Sequence, residues 1–432
     1  MNTTRRTVLK AVACGTAVTM SPALAARRAA PPKRRSLSHM ALNDPDLSAY
    51  RDFVGMMKAR DQRLDVSWLG FANVHGNVKS GFKYCPHGDW YFLPWHRAYV
   101  VMYEQAVREL TGKADFAMPY WNWTEMRELP EAFADRLYQG KDNPLYVPNR
   151  NELTGNYALT DAIVGQKEVM DKIYAKTVYE DFGTSRNPKQ DSTDPKWVPM
   201  GGGIQGLLEH TPHNTVHNNI GAFMPTAGSP NDPIFFMHHG NIDRIWAHWN
   251  ALGRRNSTEA LWRDMVFVEN FLRTDGSKYS ATVKDLEDIL ALGYDYDFLP
   301  NPDGVRPNPA REAKFLTLAK ATLGTENAGV PSFTAELLGD GPARPGAPVE
   351  NVSKVSAGLL DRVVASQSSD EPPAVFALLR GIELEDGVRA VRVFVDRDDL
   401  HVDVSDDDPH FVTVLSFLDH GGDGSGDHAR DH

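Results

Sequence analysis

Apolar residues recur at helical spacing in four places within the first three hundred residues. Leu47, Tyr50, Phe53, Val54 and Met57 follow Asp44-Pro45, an acidic cap and first-turn proline of the kind that opens a helix. From Pro94 onward His96, Tyr99, Val100, Tyr103, Val107 and Leu110 share one face, and Thr111-Gly112 predicts the stop. Thr211-Pro212 opens a third helix carrying His213 and His217. Asp232-Pro233 opens a fourth, where His239, Ile242, Trp246 and Trp249 form a stripe. Residues 140–205 read as a long loop. Beyond 299 the pattern changes: Pro, Gly and Ala dominate residues 299–350, and then "VRAVRVFVD", "LHVDV" and "HFVTVLSFL" alternate with the period of a strand. The expected chain is mainly α: a four-helix-bundle domain with long loops over 41–298, a linker over 299–329, a small C-terminal β domain over 330–420, and a polar tail over 421–432 with nothing to bury.

The start of the chain stands apart. "TTRRTVLK" supplies paired arginines, "AVACGTAVTM" a short apolar run and "SPALA" a cleavage site, so residues 1–25 read as a twin-arginine signal peptide too short to span a bilayer. Export to the periplasm or exterior is the implied destination. Residues 26–40 are basic and Pro/Ala-rich, and are expected to be disordered. Loss of Arg5, Arg6 and Lys10 with the signal moves the formal charge from −11 to −14. That acidity argues against nucleic acid or an anionic membrane surface as partner, and no other apolar stretch reaches spanning length. The same cut removes Cys14 and leaves Cys85 alone, so the mature chain has no internal disulfide.

The histidines carry the chemistry. In "HTPHNTVHNN", His213 and His217 are four apart and point to one side of a helix, where they can grip one metal ion. A single such pair is weak evidence. However, His96 and His239 lie on the apolar stripes of two other helices, where a polar ring needs a partner to be buried cheaply. Helices turning histidines toward one interior are the layout of a metal site inside a bundle. His238 precedes His239 and falls one position round the helix; it, His210, His248, His401 and His410 read as supports behind a metal ligand or as structural. His420, His428 and His432 read as solvated.

Two long motifs now resemble those of the tyrosinase, catechol oxidase and haemocyanin group of type-3 copper proteins: His87 through "FLPWHRAYVVMYE" to Glu104, and "DPIFFMHHGNID" from Asp232 to Asp243. "FANVHG", "PYWNW" and "EHTPHNTVH" match in order, and the likeness covers about residues 40–250. "VRVFVD" is similar to the domain that follows the core in plant polyphenol oxidases and implies a cover over the active site. The resemblance implies two copper ions, one held by His75, His87 and His96, the other by His213, His217 and His239. All-nitrogen ligation suits copper that cycles between its two oxidation states, and three ligands per ion leave positions open. It further implies that Glu209 and Asn214 hold a water that takes a phenol proton, and that Asp243 fixes the ring of His239. In the loop "NNIGAFMPTAGSPN", Met224 or Thr226 takes the place of the gate residue, and the absence of phenylalanine there favours admission of monophenols. The Cys-x-His spacing of "CPH" implies a thioether between Cys85 and His87.

The function implied is a copper-dependent phenol oxidase that hydroxylates monophenols and oxidises o-diphenols to o-quinones, with phenolic small molecules and O2 as substrates and a copper-delivery partner possible. Alternatives are an o-diphenol or o-aminophenol oxidase lacking the hydroxylation step, a haemocyanin-like oxygen carrier and a zinc hydrolase. Turnover separates the oxidases from the carrier, and colour with oxygen separates both from zinc.

Overall fold

The computed structural model describes residues 30–155, 158–187, 190, 203, 205–299, 390–394, 404 and 410–416. Helices dominate, and the two longest, Phe92–Thr111 and Ile234–Ala251, pack on each other at the centre. The helix Pro45–Ala59 lies against the first of them. Asp44 caps it, its side chain accepting from the Asp46 N–H, with Pro45 in the first turn. Its buried residues Leu47, Tyr50, Phe53, Val54 and Met57 are the predicted stripe. The Phe92–Thr111 helix starts two residues before Pro94 and stops at Gly112, whose φ of 72° is left-handed. Burial of Trp90, Trp95, Tyr99, Tyr103, Phe235, Phe236, Trp246 and Trp249 makes one continuous aromatic core through these helices.

The third predicted helix opens at Pro212, with the break in the backbone lying just before it at Thr211. Residues Glu209–Asn214 form a widened turn in which Thr211 is extended, with φ of −143° and ψ of 115°, before Thr215–Ile220 continues as regular α-helix. Pro212 cannot supply the N–H that a smooth helix needs there.

Two expectations fail. Residues 30–40 are ordered: Lys33–Arg34 forms a short parallel strand with Asp295–Tyr296, and Arg34 is fully buried. Its acidic partners lie far along the chain, which local composition does not register. The supposed loop 140–205 contains the helical segments Asp161–Val164, Gln166–Met170, Asp171–Ala175 and Tyr179–Phe182. Ile163, Val164, Val169, Met170, Ile173, Tyr179 and Phe182 tether them to the core.

Beyond 299 the described residues include an antiparallel pair, Ala390–Phe394 with Phe411–Ser416. Phe411–Ser416 runs beside the Glu209–Ile220 segment. The signal 1–25, the linker from 300 to 329, the tail 421–432 and most of the span 330–420 lie outside the described residues.

Candidate metal centre

His75 ends a turn after the helix Trp68–Ala72 and enters the tight hairpin Gly76–Asn77 with Gly81–Phe82. A side chain at position 76 would sit 2.5 Å from the Gly81 carbonyl oxygen, so only glycine closes this hairpin behind the histidine. His87 comes from the loop before the Phe92–Thr111 helix, and His96 from that helix's first turns. His213 and His217 both follow the break at Thr211, one helical turn apart, and His238 and His239 project from the Ile234–Ala251 helix.

All of these rings are buried. Their ligand atoms gather in two groups, His75, Cys85, His87 and His96 in one, and His213, His217, His238 and His239 in the other, each within 4.8 Å. The groups face each other: His96 stacks on His239 with centroids 4.4 Å apart at 12°, and His87 lies 5.8 Å from His213.

Backbone carbonyls set the proton positions. His75 Nδ1 lies 2.8 Å from Ala227 O, His96 Nδ1 2.8 Å from Phe92 O, and His217 Nδ1 2.7 Å from Met224 O. A carbonyl only accepts, so each Nδ1 carries the hydrogen and each Nε2 presents its lone pair inward. His213 Nδ1 likewise lies 2.9 Å from Asn214 Oδ1. The inward nitrogens of His75 and His213 have no hydrogen-bond partner, and His217 Nε2 lies 3.1 Å from His239 Nε2. Burial drives His75 down to about 3 and His217 to about 4, and holds His96, His213, His238 and His239 well below the ordinary histidine value. These rings are therefore neutral at pH 7, with lone pairs crowded together that repel unless a cation lies between them. The donor set fits two copper ions.

His238 also lies in the second group. Its Nδ1 accepts from Trp123 Nε1 at 3.2 Å, so that lone pair is spent and the hydrogen sits on Nε2, which has no hydrogen-bond partner and no lone pair free to ligate.

Cys85 is buried, and burial pushes its thiol well above the usual range, so it stays protonated. Its sulfur lies 3.4 and 3.9 Å from His87 Nδ1 and Nε2, nearly equidistant, within reach of the ring carbon between them. It is also 3.1 Å from His96 Nε2.

Glu209 and Asn214 are both buried, but their polar atoms are engaged elsewhere. Glu209 Oε1 accepts from the Gly88 N–H at 2.7 Å and Oε2 meets the Thr184 hydroxyl. Asn214 Nδ2 donates to Gln205 Oε1 at 3.0 Å. Burial raises Glu209 to about 8 although Thr184 and Gly88 pull it down. Asp243 does not orient His239. Its Oδ1 accepts from Arg97 Nε, and its Oδ2 from Arg34 Nη1 at 3.0 Å and from the hydroxyls of Tyr294 and Tyr296, each at 2.6 Å. His239 Nδ1 is left without a hydrogen-bond partner. Two buried guanidinium groups outcompete a neutral ring for one carboxylate. Of the two gate candidates, Met224 is fully buried and faces inward, and Thr226 is half-buried.

Residues 65–160 and 137–252 match the family description "Common central domain of tyrosinase". Residues 65–252 form the central domain of the tyrosinase and polyphenol oxidase family. It is similar to the tyrosinase HcTyr1 of Hahella sp. (strain CCB-MM4), 32% identical over 301 residues, which cover 59% of this chain and 61% of that one. Polyphenol oxidase II, chloroplastic, of Ipomoea batatas is 30% identical over 243 residues, covering 50% and 40%. Among solved structures, latent apple tyrosinase superposes with a TM-score of 0.50 at 25% identity over 63% of this chain and 64% of that one. Polyphenol oxidase from Grenache, Vitis vinifera, gives 0.50 at 25% over 63% and 86%. The chain matches 61% and 40% of the lengths of the first two relatives. The tyrosinase match encloses every histidine of both groups, but Arg34, Tyr294 and Tyr296 lie outside it.

Proposed function

We propose that this chain is a dicopper phenol oxidase that hydroxylates monophenols and oxidises o-diphenols to o-quinones while reducing O2 to water. The observation that carries this reading is the pair of opposed groups of buried imidazoles, with the inward nitrogens of His75 and His213 left without a hydrogen-bond partner. His75, His87 and His96 would hold one copper, and His213, His217 and His239 the other. When bound, the two coppers supply the electron exchange with dioxygen.

The chain's own residues do the rest. The carbonyls of Ala227, Phe92 and Met224 keep the Nδ1 hydrogens in place, so the ligating nitrogens stay unprotonated. Phe82, Phe92 and Phe235 pack against the histidine rings and exclude water from their flanks. Hydroxylation also needs a group to take the phenol proton, the role we assign to Glu209 with Asn214. A thioether between Cys85 and His87 belongs to the proposal and is supported by the sulfur's position; its formation would release two hydrogens to O2.

A second reading, an o-diphenol or o-aminophenol oxidase without hydroxylation, is favoured by one observation. Glu209 keeps its proton to about pH 8 and spends both oxygens on Gly88 and Thr184, which leaves little capacity to hold a water as a base. Oxygen uptake and quinone formation by the copper-loaded protein on tyrosine, a catechol and an o-aminophenol decide between the two. Turnover of the diphenol with none of tyrosine selects the second, and no turnover of any of them defeats both.

Two features of the sequence extend the proposal. Residues 1–25 would direct export by the twin-arginine route, and replacing Arg5 and Arg6 by lysine should retain the protein inside the cell. The C-terminal β segment would cover the substrate entrance, consistent with Phe411–Ser416 lying beside the Glu209–Ile220 segment. If clean removal of residues beyond about 330 leaves KM for a bulky catechol unchanged, the covering role is lost.

A further inference from the structure

One short loop touches both halves of the centre. Between His217 and Asp232, the chain turns through successive backbone hydrogen bonds, Met224 N to Gly221 O, Thr226 N to Phe223 O and Ser229 N to Thr226 O, all 2.9–3.0 Å. Within it, Met224 O accepts from His217 of the second group and Ala227 O from His75 of the first. These carbonyls are three residues apart, and Thr226 stands between them. Its hydroxyl donates to Phe223 O at 2.8 Å and accepts from the Gly228 N–H at 3.1 Å, stapling the loop on both sides of the two carbonyls. The loop is anchored from outside as well: Asn151 N donates to Ile220 O at 2.8 Å, and Arg150 forms a β-bridge with Gly221.

We propose that Thr226 is a positioning residue for both copper sites at once. Its hydroxyl holds the loop in the one shape that lets two carbonyls orient two ligands on different metals. Retention of the two coppers is thereby coupled through a segment that supplies no ligand itself. The inference rests on the two-copper reading, and goes beyond it by giving Thr226 a role other than that of a gate. Partners of ligating histidines of this kind are worth about 10–100-fold in metal affinity when lost.

The test measures copper release to a chelator from single-site proteins, His213→Ala keeping the first site and His87→Ala the second, each with Thr226 intact, Thr226→Val or Thr226→Ser. The expected result is release about 10-fold faster from both sites in Thr226→Val, with Thr226→Ser restoring the slow rates. Valine keeps the shape and lacks the hydroxyl; serine keeps the hydroxyl. Unchanged rates, acceleration at one site only, or Thr226→Ser as fast as Thr226→Val overturns the proposal. Should Thr226→Val fail to fold, Pro225→Gly frees the backbone between the carbonyls without removing a hydrogen bond and must accelerate both sites. If the unsubstituted protein does not hold two coppers, the two-copper reading fails instead.

Discussion

Asp243→Asn should destabilise the copper-free protein severely. The carboxylate takes Arg97 on one oxygen, and Arg34, Tyr294 and Tyr296 on the other, with every one of these side chains buried. Asparagine turns one acceptor into a donor, so whichever way the amide faces, at least one buried arginine meets an N–H where it had a charge. Glu104 still holds Arg34 through Nε at 2.7 Å, but Arg97 retains one hydrogen bond, to the Leu286 carbonyl at 2.8 Å, and the face of Trp246, with no counter-charge. Breaking one partner of a buried ion pair costs about 3–5 kcal/mol, a large part of the 5–15 kcal/mol typical of a whole domain. The assay is urea unfolding of the apo protein by tryptophan fluorescence. Burial pushes the Asp243 carboxyl up, but Arg97 and Arg34 bring it below the usual carboxylate range. The ion pairs therefore contribute fully above that range and are lost as pH falls through the lowered value, and this acid limb should be missing in the variant. A loss under about 1 kcal/mol would refute the reasoning. Full stability with loss of one copper would instead restore Asp243 to the role of orienting His239.

Three further outcomes are expected. His239→Ala should lose one copper per chain, whereas His238→Ala, whose Nδ1 is taken by Trp123, should keep both when copper is counted by elemental analysis. Copper-matured protein should show no titratable thiol when denatured, and the peptide containing Cys85 and His87 should be two hydrogens lighter by mass spectrometry; a full thiol equivalent in active enzyme removes the thioether. In the copper-free protein Glu209 keeps its proton to about pH 8 while the unfolded chain has lost it, so stability falls as pH rises from about 5 to 8, by up to ~1.4 kcal/mol per unit. Glu209→Gln should flatten that fall in urea midpoints, and an unaltered slope would show that Glu209 ionises normally.

Four of the histidines were legible from local period: Pro94 to Leu110 for His96, Asp232 to Trp249 for His239, and a four-residue spacing for His213 and His217, whereas His75 and His87, in a turn and a loop, were reached only through the resemblance of their motifs. The caps at Asp44 and Gly112 were legible for the same reason, since a cap is written within a few residues. Arg34 was not. Its partners Glu104 and Asp243 are 70 and 209 residues away, and nothing in a basic stretch says that it will be buried. Asp243 was misassigned because helical spacing locates a neighbour but not a stronger competitor for its charge. The carbonyls of Met224 and Ala227 carry no side-chain signature, so their work on His217 and His75 was invisible. Thr184 was missed likewise, lying 25 residues from Glu209 in a region without periodicity.

The strand at Lys33–Arg34 pairs with Asp295–Tyr296, and Asp295 N donates to Pro32 O. The chain therefore enters and leaves its helical core at one spot, like a ring with a clasp. A fusion tag placed at residue 36 would pull the clasp open, whereas a circular permutation joining the two ends needs only a short bridge and leaves both histidine groups untouched.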